Sequence, residues 1–283
     1  MLRIAIQSKG RLYEESMALL EEAGIKIPGG KRTLLVPARN FPVEVLFLRD
    51  DDIPESVASG VADVGIVGLN EVMEKRCPVG ILKKLGFGKC RLSLAIPQDI
   101  DYLDRNWFSG KKIATSYPGI LSDYLHKNGI VSDIHVITGS VEIAPGIRLA
   151  DAIFDIVSSG STLVSNRLKE VETVVESEAV LIGTDSISPE KRGILDELLF
   201  RFDSVQAADD KKYILMNVPQ KKLNDVLSVL PGIKSPTVMP LADKEWCSVH
   251  TVLDEKCFWE IINRLKTAGA EGILVLDIEK MIL

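Results

Sequence analysis

Asp155-Ile156-Val157-Ser158-Ser159-Gly160-Ser161-Thr162 reads as the end of a buried strand, a small-residue loop and a helix that starts at Thr162-Leu163. Ile153 to Val157 is a short apolar run containing one acid, the pattern of a parallel strand. Four of the five residues after Val157 carry a hydroxyl and the other is glycine. Such a loop gathers backbone N–H groups and hydroxyls in front of a helix, so it can hold a phosphate without a cationic side chain. Asp155 can accept hydrogen bonds from two sugar hydroxyls. Together these features suggest a ribose 5-phosphate site. A polar βα-turn with a capped helix accounts for the same letters, and the octet alone leaves both readings open.

Outward from this stretch the chain states one pattern twice. The first copy predicts a strand over 3–7, a loop at Ser8-Lys9-Gly10, and a helix with Leu12, Ser16, Leu20 and Ala23 on one face, stopped by Gly24. The second predicts a strand over 112–115, a loop at Ser116-Tyr117-Pro118-Gly119, and a helix with Leu121, Tyr124 and Leu125, stopped by Gly129. Each copy continues as strand, short helix, strand: 43–48, a helix capped at Asp52, then 62–68; and 135–137, a helix capped at Ser140, then the strand before Ser158. Alternating strands and helices imply parallel α/β layers, and two lobes imply a cleft between them. A strand at 91–96 follows the passage between the lobes, and strands at 172–177 and 179–183 with a helix over 188–202 are expected to carry the chain back across a hinge. From about Gln206 the order becomes βαββαβ, the ferredoxin-like plan.

The chain has 283 residues, room for two or three domains, and its 46% hydrophobic and 26% charged content supplies an ordinary globular core. A net charge of −6 argues against a general nucleic-acid binder. It leaves room for anionic small molecules near Lys9, Arg11, Lys31, Arg32, Arg39 and Arg49. Cys77, Cys90, Cys247 and Cys257 show no zinc spacing and suit a reducing cytosol. Neither a signal peptide nor a run long enough to span a membrane is read, so a cytoplasmic location with no membrane partner is expected. No metal-ligand set is assigned, and His126, His135 and His250 receive no chemical role.

The residues Ser8-Lys9-Gly10-Arg11-Leu12, Arg49-Asp50-Asp51-Asp52-Ile53-Pro54 and Asp63-Val64-Gly65-Ile66-Val67-Gly68 carry a resemblance. It continues through Cys90-Arg91-Leu92-Ser93, Ile113-Ala114-Thr115-Ser116-Tyr117-Pro118, Gly139-Ser140-Val141-Glu142, the octet, Leu230-Pro231-Gly232 and Ser235-Pro236-Thr237. In their number and order these pieces resemble the long, histidine-regulated ATP phosphoribosyltransferases over nearly the whole chain. The resemblance implies transfer of the phosphoribosyl group of phosphoribosyl pyrophosphate (PRPP) to N1 of ATP, with Mg2+ present. It implies a periplasmic-binding-protein-like two-lobed core, 1–90 with 184–205 and 91–183, and a ferredoxin-like regulatory domain, 206–283.

The resemblance also assigns roles. Ser158, Ser159, Gly160, Ser161 and Thr162 hold the 5-phosphate. Asp155 binds the ribose hydroxyls, with a strand-end acid capping the loop as its alternative. Glu142 faces the ribose or metal, with an acid favoured in a first helical turn as its alternative, and Asp151 is a further PRPP candidate. Asp151 has a structural rival, because it matches Asp63 of the first copy and both could close a helix-to-strand turn. Lys9 and Arg11 face pyrophosphate or ATP phosphate, with a solvated helix start as the alternative; Arg49 stabilises the leaving group, with pairing to Asp50, Asp51 or Asp52 as the alternative; Arg32 is a weaker candidate. Leu12 and Tyr117 flank the adenine, with ordinary packing as the alternative for Tyr117, and Cys90 and Arg91 lie at the hinge, where the backbone touches the nucleotide. Asn217, Ile233, Ser235, Thr237, Val252 and Gly272 match a histidine site, with AMP as a second candidate inhibitor; assembly into a dimer or hexamer is the other use of this domain. Asn217 departs from the acid of some relatives. A two-lobed amino-acid sensor would need no phosphate loop. The commoner PRPP motif has paired acids where this chain has Phe154 and Asp155.

Overall fold

The computed structural model describes residues 1–28, 33–231 and 235–282. The chain divides into two compact units, 1–197 and 198–283. The first begins with β1 (Leu2–Gln7), α1 (Arg11–Glu22), β2 (Leu35–Pro37), β3 (Val43–Leu48), α2 (Ile53–Ala58), β4 (Val64–Gly68), α3 (Leu69–Lys75) and β5 (Gly80–Lys84). It continues with β6 (Cys90–Pro97), β7 (Lys112–Thr115), α4 (Pro118–Lys127), β8 (Asp133–Val136), β9 (Ala152–Val157), α5 (Ser161–Ser165), β10 (Leu168–Ser177), β11 (Ala179–Gly183) and the first part of α6 (Pro189–Ala208).

These strands form two sheets, ordered β2-β3-β1-β4-β11-β5 and β10-β6-β9-β7-β8. The duplication is therefore real in three dimensions. In one lobe β1 lies between β3 and β4, in the other β7 lies between β8 and β9, and all four pairings are parallel. Apolar runs supply such centres: Leu2, Ile4, Ala5 and Ile6 of β1, and Ile113 and Ala114 of β7, are wholly buried. Gly65 in β4 lets α2 approach, since a Cβ there would lie 2.6 Å from Cγ2 of Ile53.

Each parallel trio gains one antiparallel strand, β11 on β4 and β6 on β9. The chain thus crosses between lobes twice. The crossings are tied together, with Leu85 N–H on the Ala179 carbonyl and Ala179 N–H on the Phe87 carbonyl, both at 2.9 Å. The return crossing corrects the expected boundary: Ala179–Gly183 already pairs with β4, so the chain re-enters the first lobe after Ser177 and not at 184.

Two local expectations fail. Ser140 does not cap a helix; it sits at φ +52° before a single 3₁₀ turn, Val141–Ile143. Pro145 lacks the amide a longer helix would need there. Asp52 makes no side-chain cap bond either. The strands β2 and β5 were also not foreseen.

The second unit contains β12 (Lys211–Pro219), α7 (Leu223–Val229), β13 (Thr237–Pro240), β14 (Trp246–Asp254), α8 (Glu255–Ala268) and β15 (Glu271–Asp277). Its sheet is ordered β13-β14-β12-β15 and is antiparallel throughout, as the ferredoxin-like plan requires. Ile214, Met216, Val218, Val249 and Leu253 pack on one side with Val226, Phe258, Ile261 and Leu265 of the two helices. The unit begins at Leu198, inside α6, earlier than the expected Gln206.

Candidate active site

The hydroxyl-rich loop leaves the end of β9 and borders a cavity of about 280 Å³ lined by Glu142, Asp155, Ser158, Ser159, Gly160 and Thr162. Most of the PRPP candidates therefore converge. Gly160 takes φ +80°, a left-handed conformation that suits glycine and turns the loop. Among the described residues, no hydrogen-bond acceptor faces the backbone N–H groups of Ser159 and Gly160. The helix that follows, α5, has five residues. That is too short for a sizeable dipole, so the anion-binding capacity rests on the loop's own amides and hydroxyls.

Asp155 is half-buried at the strand end and accepts the Ile156 N–H at 2.8 Å. Desolvation lifts its carboxyl to about 6, and Glu142 nearby adds to the rise. Two carboxylates that repel one another in one pocket suit sugar hydroxyls or a cation.

Asp151 belongs elsewhere. Its Oδ2 accepts the Lys112 N–H at 2.9 Å, while its own N–H donates to the Lys112 carbonyl at 2.8 Å. Asp63 does the same in the first lobe, with Arg3 N–H on Oδ2 at 2.8 Å and the return bond at 3.0 Å. The pair of clasps ties the last strand of each copy to its first, so the structural rival explains Asp151. Asp151→Ala is expected to lower stability by about 1 kcal/mol with the KM for PRPP unchanged; urea denaturation and steady-state kinetics check both parts.

The cationic candidates leave the first lobe at the ends of β1 and β3. Lys9 and Arg11 are exposed. Arg11 is held by Glu15 at 3.0 Å and stretches across to the Ser158 hydroxyl at 3.5 Å. Arg49 is 79% exposed and leans on Asp51 at 3.2 Å. Arg32 lies outside the described residues. Leu12 packs at the hinge, where a Cβ on Gly88 would meet its Cδ1 at 3.3 Å.

A second cavity, about 470 Å³, lies along the hinge and is lined by Lys84, Lys89, Cys90, Arg91, Ser158 and Glu176, among others. Burial pushes the Cys90 thiol up, which keeps it protonated. Ser158 borders both cavities.

Tyr117 corrects another expectation. It is 8% exposed and joins the second lobe's apolar core. Its hydroxyl donates to Glu71 Oε1 at 2.9 Å and accepts from Asn70 at 3.3 Å, so the ring offers no stacking face in this conformation. Burial, then Glu71, push the phenol far up. Around it α3 latches onto α4: Glu74 accepts the Gly119 and Ile120 N–H groups at 2.8 and 2.9 Å, and Arg76 pairs with Asp123 at 2.7 Å. Sequence reading missed Asn70, Glu71 and Glu74, whose partners lie some 45 residues away.

In the second unit Asn217, Thr237 and Val252 share the sheet face opposite the helices. Asn217 pairs with Ser248, Thr237 with His250 and Tyr213 with Val252, and residues opposite one another in a ladder point the same way. Gly272 abuts Asn217: a Cβ on it would lie 3.3 Å from Nδ2. Ser235 stands just before β13, and Ile233 lies outside the described residues.

Residues 49–204 match the family model described as ATP phosphoribosyltransferase, and residues 208–280 match the one described as HisG, C-terminal domain. The chain belongs to the ATP phosphoribosyltransferase family. It is 70% identical over 283 residues to the ATP phosphoribosyltransferase of Bacteroides fragilis and 71% identical to that of Phocaeicola vulgatus, covering all of each. The solved ATP phosphoribosyl transferase (HisG:HisZ) complex of Thermotoga maritima is 27% identical, with a TM-score of 0.62 over 71% of this chain and 96% of that one. The C-terminal match identifies the long form of the family. Among the described residues, no helix is long and apolar enough to cross a membrane.

Proposed function

We propose that the chain transfers the 5-phosphoribosyl group of PRPP to N1 of ATP and releases pyrophosphate, the first step of histidine biosynthesis. The observation that carries the reading is one pocket holding Asp155, Glu142 and the Ser158–Thr162 loop, with Arg11 of the other lobe already reaching its rim.

The adenine N1 lone pair forms the new bond to C1 as the C1–O bond breaks, its electron pair leaving with pyrophosphate. Positive charge develops on the sugar and negative charge on the leaving group, so positioning and electrostatics suffice and no covalent nucleophile is required. Ser159 and Gly160 amides and the loop hydroxyls grip the 5-phosphate. Asp155 and Glu142 orient the ribose. Lys9, Arg11 and Arg49 meet the departing pyrophosphate, a task suited to forked guanidinium donors. ATP takes the hinge cavity, where Lys84 and Lys89 supply positive charge and Leu69 and Cys90 an apolar wall.

Mg2+ fits this donor set. Glu142 and Asp155 line one pocket, and Mg2+ takes one or two carboxylates while keeping water and substrate oxygens for its other positions. Bound there, it supplies charge neutralisation to the pyrophosphate.

The open sheet face of the second unit takes histidine, and its exposed Met239, Leu274 and Leu276 support homo-oligomer contacts. An enzyme that consumes ATP for biosynthesis works in the cytoplasm.

Purified protein with ATP, PRPP and Mg2+ is expected to release pyrophosphate only when both substrates are present, and added histidine to slow it. Pyrophosphate release independent of ATP overturns the assigned reaction. Full activity in saturating histidine removes the inhibitor site alone.

A further inference from the structure

We propose that Arg91, braced by Glu170, is a positioning residue for the phosphate loop: it pins the Ser158 carbonyl so that the next N–H, that of Ser159, faces the sugar-phosphate pocket. The inference rests on the reading of that pocket as the PRPP site.

Arg91 stands opposite Val157 in the β6–β9 ladder, one residue short of the loop. Its Nη1 donates to the Ser158 carbonyl at 3.0 Å. The other edge of the guanidinium is occupied by Glu170, with Nε on Oε1 at 2.5 Å and Nη2 on Oε2. Glu170 is itself held: its Oε1 accepts from the Ser93 hydroxyl at 2.7 Å and from Thr173 at 3.2 Å. A register shift between Glu170 and Glu172 occurs at this point of the β10–β6 ladder, and bulges of this kind re-aim side chains. Arg91 thus has its planar fork fixed on one side and one donor left to hold the loop.

The consequence follows from peptide geometry. All peptide bonds described are trans, so the C=O of Ser158 and the N–H of Ser159 point in opposite directions. Arg91 lines the hinge cavity and draws the carbonyl that way. The Ser159 N–H is thereby turned to the other side, where Ser159, Gly160 and Thr162 border the smaller pocket and, among the described residues, no acceptor bonds to it. An amide held in place before the anion arrives binds it without paying to be ordered.

The competing role for Arg91 is direct contact with ATP or pyrophosphate in the hinge cavity, and the two differ in sign. If Arg91 acts on substrate directly, releasing it from Glu170 frees a cation and tightens binding. If it acts through the loop, the same change weakens PRPP alone.

Glu170→Ala, Glu170→Gln and Arg91→Lys are to be compared with wild type by calorimetric titration with PRPP and by steady-state kinetics. Glu170→Ala is expected to raise the Kd and KM for PRPP about tenfold, with the KM for ATP within about twofold. Glu170→Gln keeps an oxygen for Arg91 and Ser93 and recovers much of the loss. Arg91→Lys, which can reach the carbonyl but not brace bidentately, falls between. Should Glu170→Ala fail to fold, the other two carry the same comparison. Unchanged or tighter PRPP binding in folded variants overturns the inference while the pocket reading survives. A wild-type protein that does not bind PRPP overturns the pocket reading and this inference together.

Discussion

Asp155→Asn is expected to lower kcat/KM by on the order of 10²–10³ while the protein becomes no less stable at neutral pH. Asp155 lies two residues before the end of β9 and borders the proposed sugar pocket, and its carboxyl is raised from the ordinary 3.8 to about 6, first by burial and then by Glu142. The raised value fixes the sign of the stability effect. The folded state favours the neutral acid, so this stabilisation is complete below about 3.8 and is lost as pH rises through about 6. At pH 8 the ionised group therefore works against folding, by on the order of 1–2 kcal/mol after allowance for solvent screening. Asparagine removes that charge and keeps an oxygen for the Ile156 N–H, which Asp155 accepts at 2.8 Å. Thermal melts at pH 8 should place the variant at or above wild type, and the difference should shrink at pH 5. PRPP affinity of wild type should fall as pH drops below about 6, because the protonated acid accepts fewer hydroxyl hydrogen bonds. A variant with wild-type kcat/KM, or one that melts well below wild type at pH 8, contradicts this account of the residue.

Ser159→Asp should weaken PRPP binding by about 100-fold or more through like-charge repulsion and leave the fold intact. Ser159 is exposed, and its hydroxyl accepts the Ser161 N–H at 3.4 Å, a contact that a carboxylate reproduces. The new charge occupies the place of the phosphate and partly satisfies the amides that would have held it. Ser159→Asn, similar in shape but neutral, should lose about tenfold or less. Calorimetry with PRPP separates the two variants. Retained binding in the aspartate variant would place the phosphate elsewhere.

The duplicated βα unit was legible because its signals are local. Apolar runs, stopping glycines at Gly24 and Gly129 and the hydroxyl-rich loop each announce themselves within a few residues. Matching Asp63 with Asp151 by sequence also anticipated their common clasp, although the distinction from Asp155, four residues on, needed the hydrogen bonds.

What the chain determined by itself is therefore most of the principal elements, their doubling, the hydroxyl-rich loop and the ferredoxin-like order of the last unit, since each depends on spacing along one segment. The tertiary structure alone decided that β11 returns to the first sheet, that Tyr117 is buried against Glu71, and that Arg91 meets Glu170 seventy-nine positions away. These are pairings between distant segments. A polar residue's letter carries its chemistry but not the partner that folding brings to it, because burial and long-range register are properties of the whole packed chain.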